Sequence, residues 1–171
     1  MVHQARILSA FLFWLAAFGE VRADHFAIDL EVKGPKAGRT VHAETAGPAD
    51  LSTLGTKPKP REVLEIQAGD KIIIKWTLAS TASKDTAKDV LVHFYAVKIA
   101  KQGGPPPPKL DKDVLLETAL TMDFKPKDKT EGELSLQVDK PGVYLLRLET
   151  IGAAVGADGH EHFANLDLVA R

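Results

Sequence analysis

The strongest constraint on this chain is the spacing of its apolar residues, which recur every second position almost everywhere and every third or fourth almost nowhere. In "KIIIKWTL", Ile72, Ile74, Trp76 and Leu78 fall on one face while Lys75 and Thr77 point the other way. "VLLETALTMDF" sets Val114, Leu116, Leu120, Met122 and Phe124 against Glu117, Thr121 and Asp123. "GELSLQV" sets Leu134, Leu136 and Val138 against Glu133, Ser135 and Gln137. Side chains alternate across a strand, so this period specifies half-buried antiparallel strands rather than amphipathic helices. "VLVHFYAVKI" is apolar on both faces and predicts a central strand.

Turn residues separate these segments. Ala68-Gly69-Asp70 divides "EVLEIQ" from "KIIIKWTL", and Lys140-Pro141-Gly142 divides "GELSLQV" from "GVYLLRLETI". With "HFAIDLEV" near the start and "HFANLDLVA" at the end, the count comes to about eight strands. The expected fold class is all-β, an antiparallel two-sheet sandwich. "TKPKPRE" and "KQGGPPPPKL" interrupt the pattern with proline, which cannot donate ladder hydrogen bonds, and are expected to run as stiff extended connections. Pro105 to Pro108 is read as a stiff crossover between the sheets rather than as a ligand for a proline-binding partner.

The first residues read as an export signal. A short basic beginning ends at Arg6, the apolar run "ILSAFLFWLAAFG" follows, and Val21-Arg22-Ala23 offers small residues for cleavage before Asp24. That run is shorter than the roughly 20 apolar residues of a membrane span, and no later stretch supplies one. The organisation expected is a signal peptide over 1–23 and a single domain over 24–171, exported to the periplasm or the cell exterior. Without the signal, the 22 basic and 23 acidic residues become 20 and 22, a formal net charge of −2. A near-balanced chain lacks the basic footprint that nucleic-acid phosphates require. There is no cysteine, so an exported domain of this kind holds together by packing alone.

In "VDKPGVYLLRL", Asp139, Gly142 and Tyr144, with Leu146 in phase, resemble the corner of an immunoglobulin-like domain, where a tyrosine hydroxyl ties back to the preceding turn. "DVLVHFYAVK" is similar to a strand of bacterial exported immunoglobulin-like modules of the cell-adhesion-related type. The resemblance implies an immunoglobulin-like sandwich. In antibody-type domains a cysteine stands where Leu146 stands here, so aliphatic packing, expected against a buried Trp76, replaces the disulfide. "EIQAGDKIIIKW" and "PGVYLLRLETIG" are also similar to the first and last strand pairs of cupredoxins. Blue-copper chemistry needs a thiolate, and a chain without cysteine has none; only the topology of that family stays open.

Histidine supplies the one candidate site. His160 and His162 flank Glu161, and residues i and i+2 of a strand share a face, so the pair could meet one zinc or copper ion. A third ligand is then needed, with His25, His42 and His93 as candidates. The competing reading makes "GADGHEH" the exposed tip of a hairpin. In "HFANLDLVA", strict alternation puts His162 in phase with Leu166 and Leu168, unless Asn165 is a β-bulge that turns Phe163 inward. Ser52, Ser80, Ser83 and Ser135 lie in no nucleophile-elbow context, and no glycine-rich stretch has a phosphate-binding pattern. Exposed aromatic platforms for sugars are lacking as well. The expected function is therefore not enzymatic and needs no cofactor. The chain is read as an interaction or structural module that meets another envelope or extracellular protein. The alternative is a periplasmic metal-binding protein using His160, His162 and His25.

Overall fold

The computed structural model of the protein describes residues 26–35, 40–44, 60–82, 84–152 and 162–171. The signal-peptide segment, the expected cleavage site, His25, His160 and Glu161 lie outside these residues. Among the described residues every regular element is a strand, and no helix is long and apolar enough to cross a membrane.

Nine strands follow one another among the described residues: β1 (Phe26–Lys33), β2 (Thr40–Glu44), β3 (Glu62–Ile66), β4 (Lys71–Ser80), β5 (Ala87–Ile99), β6 (Val114–Phe124), β7 (Lys129–Gln137), β8 (Gly142–Ile151) and β9 (His162–Ala170). They form a four-stranded sheet, ordered β2-β1-β4-β7, and a five-stranded sheet, ordered β3-β9-β8-β5-β6. The alternating segments all become strands, and β5 takes the interior position expected of it. The short strand β2, "TVHAE", is the one element that the apolar period does not mark, because only Val41 and Ala43 alternate in it.

The expectation of purely antiparallel pairing is corrected. The four-stranded sheet is antiparallel, but β3 runs parallel to β9, from Glu62 opposite Leu166 to Ile66 opposite Ala170. The chain leaves β3 through a turn at Gly69, which adopts a φ of +94° that a side chain would disfavour. The turn there sends the chain from β3 in one sheet to β4 in the other instead of closing a hairpin. Its ends are tied down on both sides: the Ala68 N–H donates to the Arg171 carbonyl at 2.9 Å, and the Gly69 N–H donates to the Val138 carbonyl at 2.8 Å.

One apolar cluster draws on both sheets. Phe26, Ile28, Leu30, Ile72, Ile74 and Leu78 come from the four-stranded sheet, and Leu64, Phe94, Tyr144, Leu146, Leu166 and Leu168 from the five-stranded one. Burial of each such large side chain is worth about 1.5–3 kcal/mol, which lets a chain without disulfides stay folded. Trp76 points toward this cluster as its phase requires, but it is only half-buried. Its cross-strand partner on the edge strand β7 is Gly132, which leaves the indole without a side-chain neighbour on that side, while Leu30 of β1 stands on the other.

A second correction concerns β6. Leu116 pairs with Ala96 while Val114 pairs with Val97, so Leu115 is an extra residue bulged out of the ladder. One inserted residue reverses the phase. Val114 therefore leaves the side of Leu116 and joins a second, smaller cluster with Tyr95, Val97, Ile99, Leu110 and Leu145 on the outer face of the five-stranded sheet. Leu120 keeps the core-facing phase, opposite Val92, yet is 45% exposed because β6 forms the edge of its sheet.

The corner of β8 has the tie that its sequence suggests. The Tyr144 hydroxyl donates to the Lys140 carbonyl at 2.9 Å. Burial raises the phenol above its ordinary range, and the nearby carboxylates of Asp113 and Asp139 add to the effect.

Candidate functional site

The three described histidines that entered the metal reading lie on three different surfaces. His42, on β2, is exposed and stands 3.8 Å from the Asp29 carboxylate on the outer side of the four-stranded sheet. His93 and His162 belong to the five-stranded sheet but on opposite faces. His93 pairs with Glu149, which pairs with Phe163, whereas Val92 pairs with Thr150, which pairs with His162. Val92 belongs to the core, so His162 points into the protein and His93 points out.

His162 is thus not the tip of a hairpin. It opens β9 with only 3% of its surface exposed, and its ring stands edge-on to Phe26 with centroids 6.1 Å apart. The ladder from β8 to β9 runs without a shift, from Gly142 opposite Ala170 to Thr150 opposite His162. Asn165 is accordingly not bulged, and strict alternation places His162 with Ala164, Leu166 and Leu168. Among the described residues no group of three histidine, aspartate or glutamate side chains is arranged to hold a metal ion. His25 and His160 lie outside those residues.

The outer face of the five-stranded sheet carries the cluster that the sequence reading passed over. Its centre is Glu149 on β8, whose two carboxylate oxygens serve different partners. Oε1 lies 3.0 Å from Nδ1 of His93 on β5, and Oε2 accepts a hydrogen bond from Nε of Arg147, two residues away on the same strand. The other imidazole nitrogen of His93 stands 3.4 Å from Glu117 on β6. The Arg147 guanidinium lies over the Phe163 ring of β9, 3.8 Å from its centroid, and the His93 ring is 4.9 Å from that of Tyr95. Four adjacent strands thus contribute to one continuous charged and aromatic strip.

The chemistry of the strip follows from its layout. Its carboxylates sit on opposite sides of the imidazole, so Glu149, His93 and Glu117 do not converge on one point. A ring protonated on both nitrogens pairs with both carboxylates; a neutral ring donates to only one. Arg147 and Glu149 are buried beneath the strip, while Glu117 is exposed and His93 and Phe163 are partly so. The buried pair acts as a base that fixes the orientation of the outer groups, since a charge pair out of water tolerates little displacement.

A second anchored point lies toward β3 on the same sheet. Asp167 is fully buried on β9. It accepts from Arg61 Nε at 2.8 Å and from the Gly103 N–H at 2.7 Å, and Arg61 Nη2 donates to the Gly104 carbonyl at 2.6 Å. The proline run that follows is thereby fixed at its start, and Leu110 in the second apolar cluster fixes its end. The run joins β5 to β6, antiparallel neighbours in the five-stranded sheet, so the crossover between the sheets expected of it is corrected to a connection within one sheet, pinned on both sides.

A signal for both features was present in the sequence. Arg147 and Glu149 share the outward phase of an otherwise apolar strand, and Asp167 interrupts "NLDLV" in the same way. Charges in the phase of a central strand need partners, and the phase alone does not name them. The outer side of the four-stranded sheet is plainer. Its Asp29, Glu31, Glu131 and Glu133 border a shallow depression of about 460 Å³ with Lys75 among them. The hydrogen bond from Lys33 holds Glu31 below the usual carboxylate range.

No family model matches the chain, and no curated protein is similar to it.

Proposed function

We propose that the chain is an exported, non-catalytic immunoglobulin-like sandwich that binds another protein of the envelope or cell exterior through the outer face of its five-stranded sheet. The observation that carries this reading is the strip from Glu117 through His93, Glu149 and Arg147 to Phe163. Contact surfaces concentrate their energy in a few arginine and aromatic anchors that are held in place before the partner arrives. The strip offers a partner the partly exposed Phe163 and His93 beside the exposed Glu117, and the buried Arg147–Glu149 pair beneath them supplies the rigidity.

Strand order supports the immunoglobulin-like part. β1, β4 and β7 are neighbours in the order of strands A, B and E of such domains, and β6, β5, β8 and β9 in the order C′, C, F and G. Tyr144, near the start of the strand that corresponds to F, makes the backward hydrogen bond that defines a tyrosine corner. Leu146, buried two residues later, fills the place of the cysteine. The non-catalytic part is supported by His93, whose two ring nitrogens both face carboxylates rather than a hydroxyl that it could activate. Export rests on residues 1–23.

The experiment is affinity capture from an envelope fraction after mild cross-linking, with Glu117→Lys and Phe163→Ala tested against wild type. Glu133→Lys, on the other sheet, is the control. The reading expects one partner that both strip variants lose by about tenfold and the control retains. Equal capture by all four proteins overturns it.

A further inference from the structure

β6 closes the five-stranded sheet, so one of its backbone edges has no ladder partner among the described residues. Folded proteins blunt such edges by keeping them short or by placing lysine, proline or a bulge on them, because unpaired N–H and C=O groups recruit another strand. The remaining outer strands follow that rule. β2 and β3 have five residues each, and β7 exposes Lys129, Glu131 and Glu133. β6 has eleven residues, with neither lysine nor proline nor glycine among them, and its bulge at Leu115 and its charges at Glu117 and Asp123 leave Thr118 to Met122 without such a device.

The shape of β6 restricts what can pair with it. Irregularities in its ladder with β5, between Ala96 and Val97 and between Ala87 and Val90, leave Leu116 to Met122 as the regular stretch. The midpoint of that stretch is Ala119, an exposed residue with the smallest side chain in it. Next to it, Leu120 exposes 45% of its surface in the core-facing phase.

A second copy laid antiparallel along this edge keeps core-facing residues opposite core-facing residues only if the two-fold axis passes through a residue and not between two. An axis through Leu120 sets Glu117 against Asp123 of the other copy, and an axis through Glu117 sets it against itself. Like charges directly opposite are unfavourable. With the axis through Ala119, Leu116 faces Met122, Glu117 faces Thr121 and Thr118 faces Leu120. No like charges meet, the regular stretch pairs with itself over its full length, and each Leu120 gains cover. Any other axis shortens that ladder.

We propose that the protein forms a two-fold dimer through β6, antiparallel to β6 of a second copy with Ala119 on the axis, joining the two five-stranded sheets edge to edge. This interface is isologous, so it closes at two copies and leaves no further edge of the same kind. It stands on strand order and register and does not depend on the partner-binding reading above.

The absence of cysteine makes the test clean. In the dimer, two Ala119→Cys residues face each other with Cα atoms about 4.5–5.5 Å apart, within the range a disulfide spans. Two Thr121→Cys residues are about 14 Å apart, four residues out of register, and cannot join. Under mild oxidation at micromolar concentration, Ala119→Cys should become a covalent dimer at least tenfold faster than Thr121→Cys. Wild type should sediment as a concentration-dependent dimer. Ala119→Lys and Ala119→Glu should each be folded monomers by circular dichroism and sedimentation, and their mixture should regain the dimer through opposite charges. A wild-type monomer at several hundred micromolar, equal cross-linking of the two cysteine variants, or a dimer that survives Ala119→Lys overturns the proposal.

Discussion

Trp76 and Gly132 occupy one cross-strand position between β4 and β7, and a Cβ built on the glycine would stand 2.6 Å from Cζ2 of the indole. The ring therefore occupies the volume that a side chain on β7 would need. This explains both a glycine within a strand and the half-burial of a tryptophan that has core phase: on the side of the edge strand β7, Trp76 covers backbone where a side-chain neighbour would otherwise stand.

From that contact, Gly132→Ala is expected to force the indole outward and destabilise the protein by about 1–3 kcal/mol, the usual cost of overpacking. Trp76→Ala should cost about 2–3 kcal/mol, less than the roughly 3–5 kcal/mol of a fully enclosed aromatic. Trp76 is the one tryptophan after residue 23, so its fluorescence reports the site directly once the signal is removed. Gly132→Ala should red-shift the emission and raise quenching by iodide. An unshifted spectrum with unchanged urea midpoint would show that the indole does not depend on Gly132.

The clamp at Asp167 gives a second expectation. Its carboxylate is fully buried, and both oxygens are engaged by Arg61 and the Gly103 N–H. Asp167→Ala strands a largely buried guanidinium, which costs about 3–5 kcal/mol when a buried pair is broken from one side. The loss should be local first. Trypsin should cut after Lys101 well before the rest of the chain unfolds, because that backbone is held by the same carboxylate. Wild-type resistance at Lys101 in the variant would mean that the proline run is fixed by Leu110 alone.

Tyr144 links the fold to pH. Its phenol sits above the ordinary value of 10.0 because burial disfavours the phenolate, with Asp113 and Asp139 adding to this. In the unfolded chain the phenol ionises at its ordinary value, so above that pH the unfolded state binds fewer protons and gains relative to the folded one. The contribution of Tyr144 is therefore complete below the ordinary tyrosine range and lost as pH rises through the raised folded value. Tyr144→Phe should cost about 1 kcal/mol at neutral pH for the hydrogen bond to Lys140. Between pH 9 and 11, on the order of a tyrosine titration, wild type should lose stability more steeply than the variant. Parallel urea midpoints across that range would count against the buried phenol.

How far the fold could be read in advance differs between residues for definite reasons. The alternation in "KIIIKWTL" and "GVYLLRLETI" is a property of one strand, and it correctly gave core phase to Ile72, Ile74, Tyr144 and Leu146. Which sheet a strand joins is a property of pairs. The parallel contact of β3 with β9 and the transfer of the chain at Gly69 therefore left no period to detect. A bulge inserts one residue without changing composition, so Val114 looked equivalent to Leu116 although Leu115 separates their faces. The strip at Glu149 was visible as unexplained charge on a central strand, but its partners come from strands β5, β6 and β9, which the order of the sequence does not bring together.

His162 separates the module reading from the metal reading, and its burial changes what each expects. The ring is enclosed against Phe26 and faces away from His93 and His42, so a metal site would have to be completed from residues outside those described. As a core residue, His162 should lose about 2–3 kcal/mol of stability on replacement by alanine, with His162→Leu recovering part of it because the leucine refills the space. That loss should be the same with and without zinc or copper, and His160→Ala should melt like wild type. A physiological site behaves otherwise: zinc at about 100 times its dissociation constant would add about 2.7 kcal/mol to the wild type by mass action and nothing to the variants. Thermal melts of wild type, His160→Ala, His162→Ala and His162→Leu, each with and without stoichiometric zinc, distinguish the two. A zinc-dependent rise in the wild-type melting temperature that vanishes in both His160→Ala and His162→Leu would establish the metal protein and displace the interaction module.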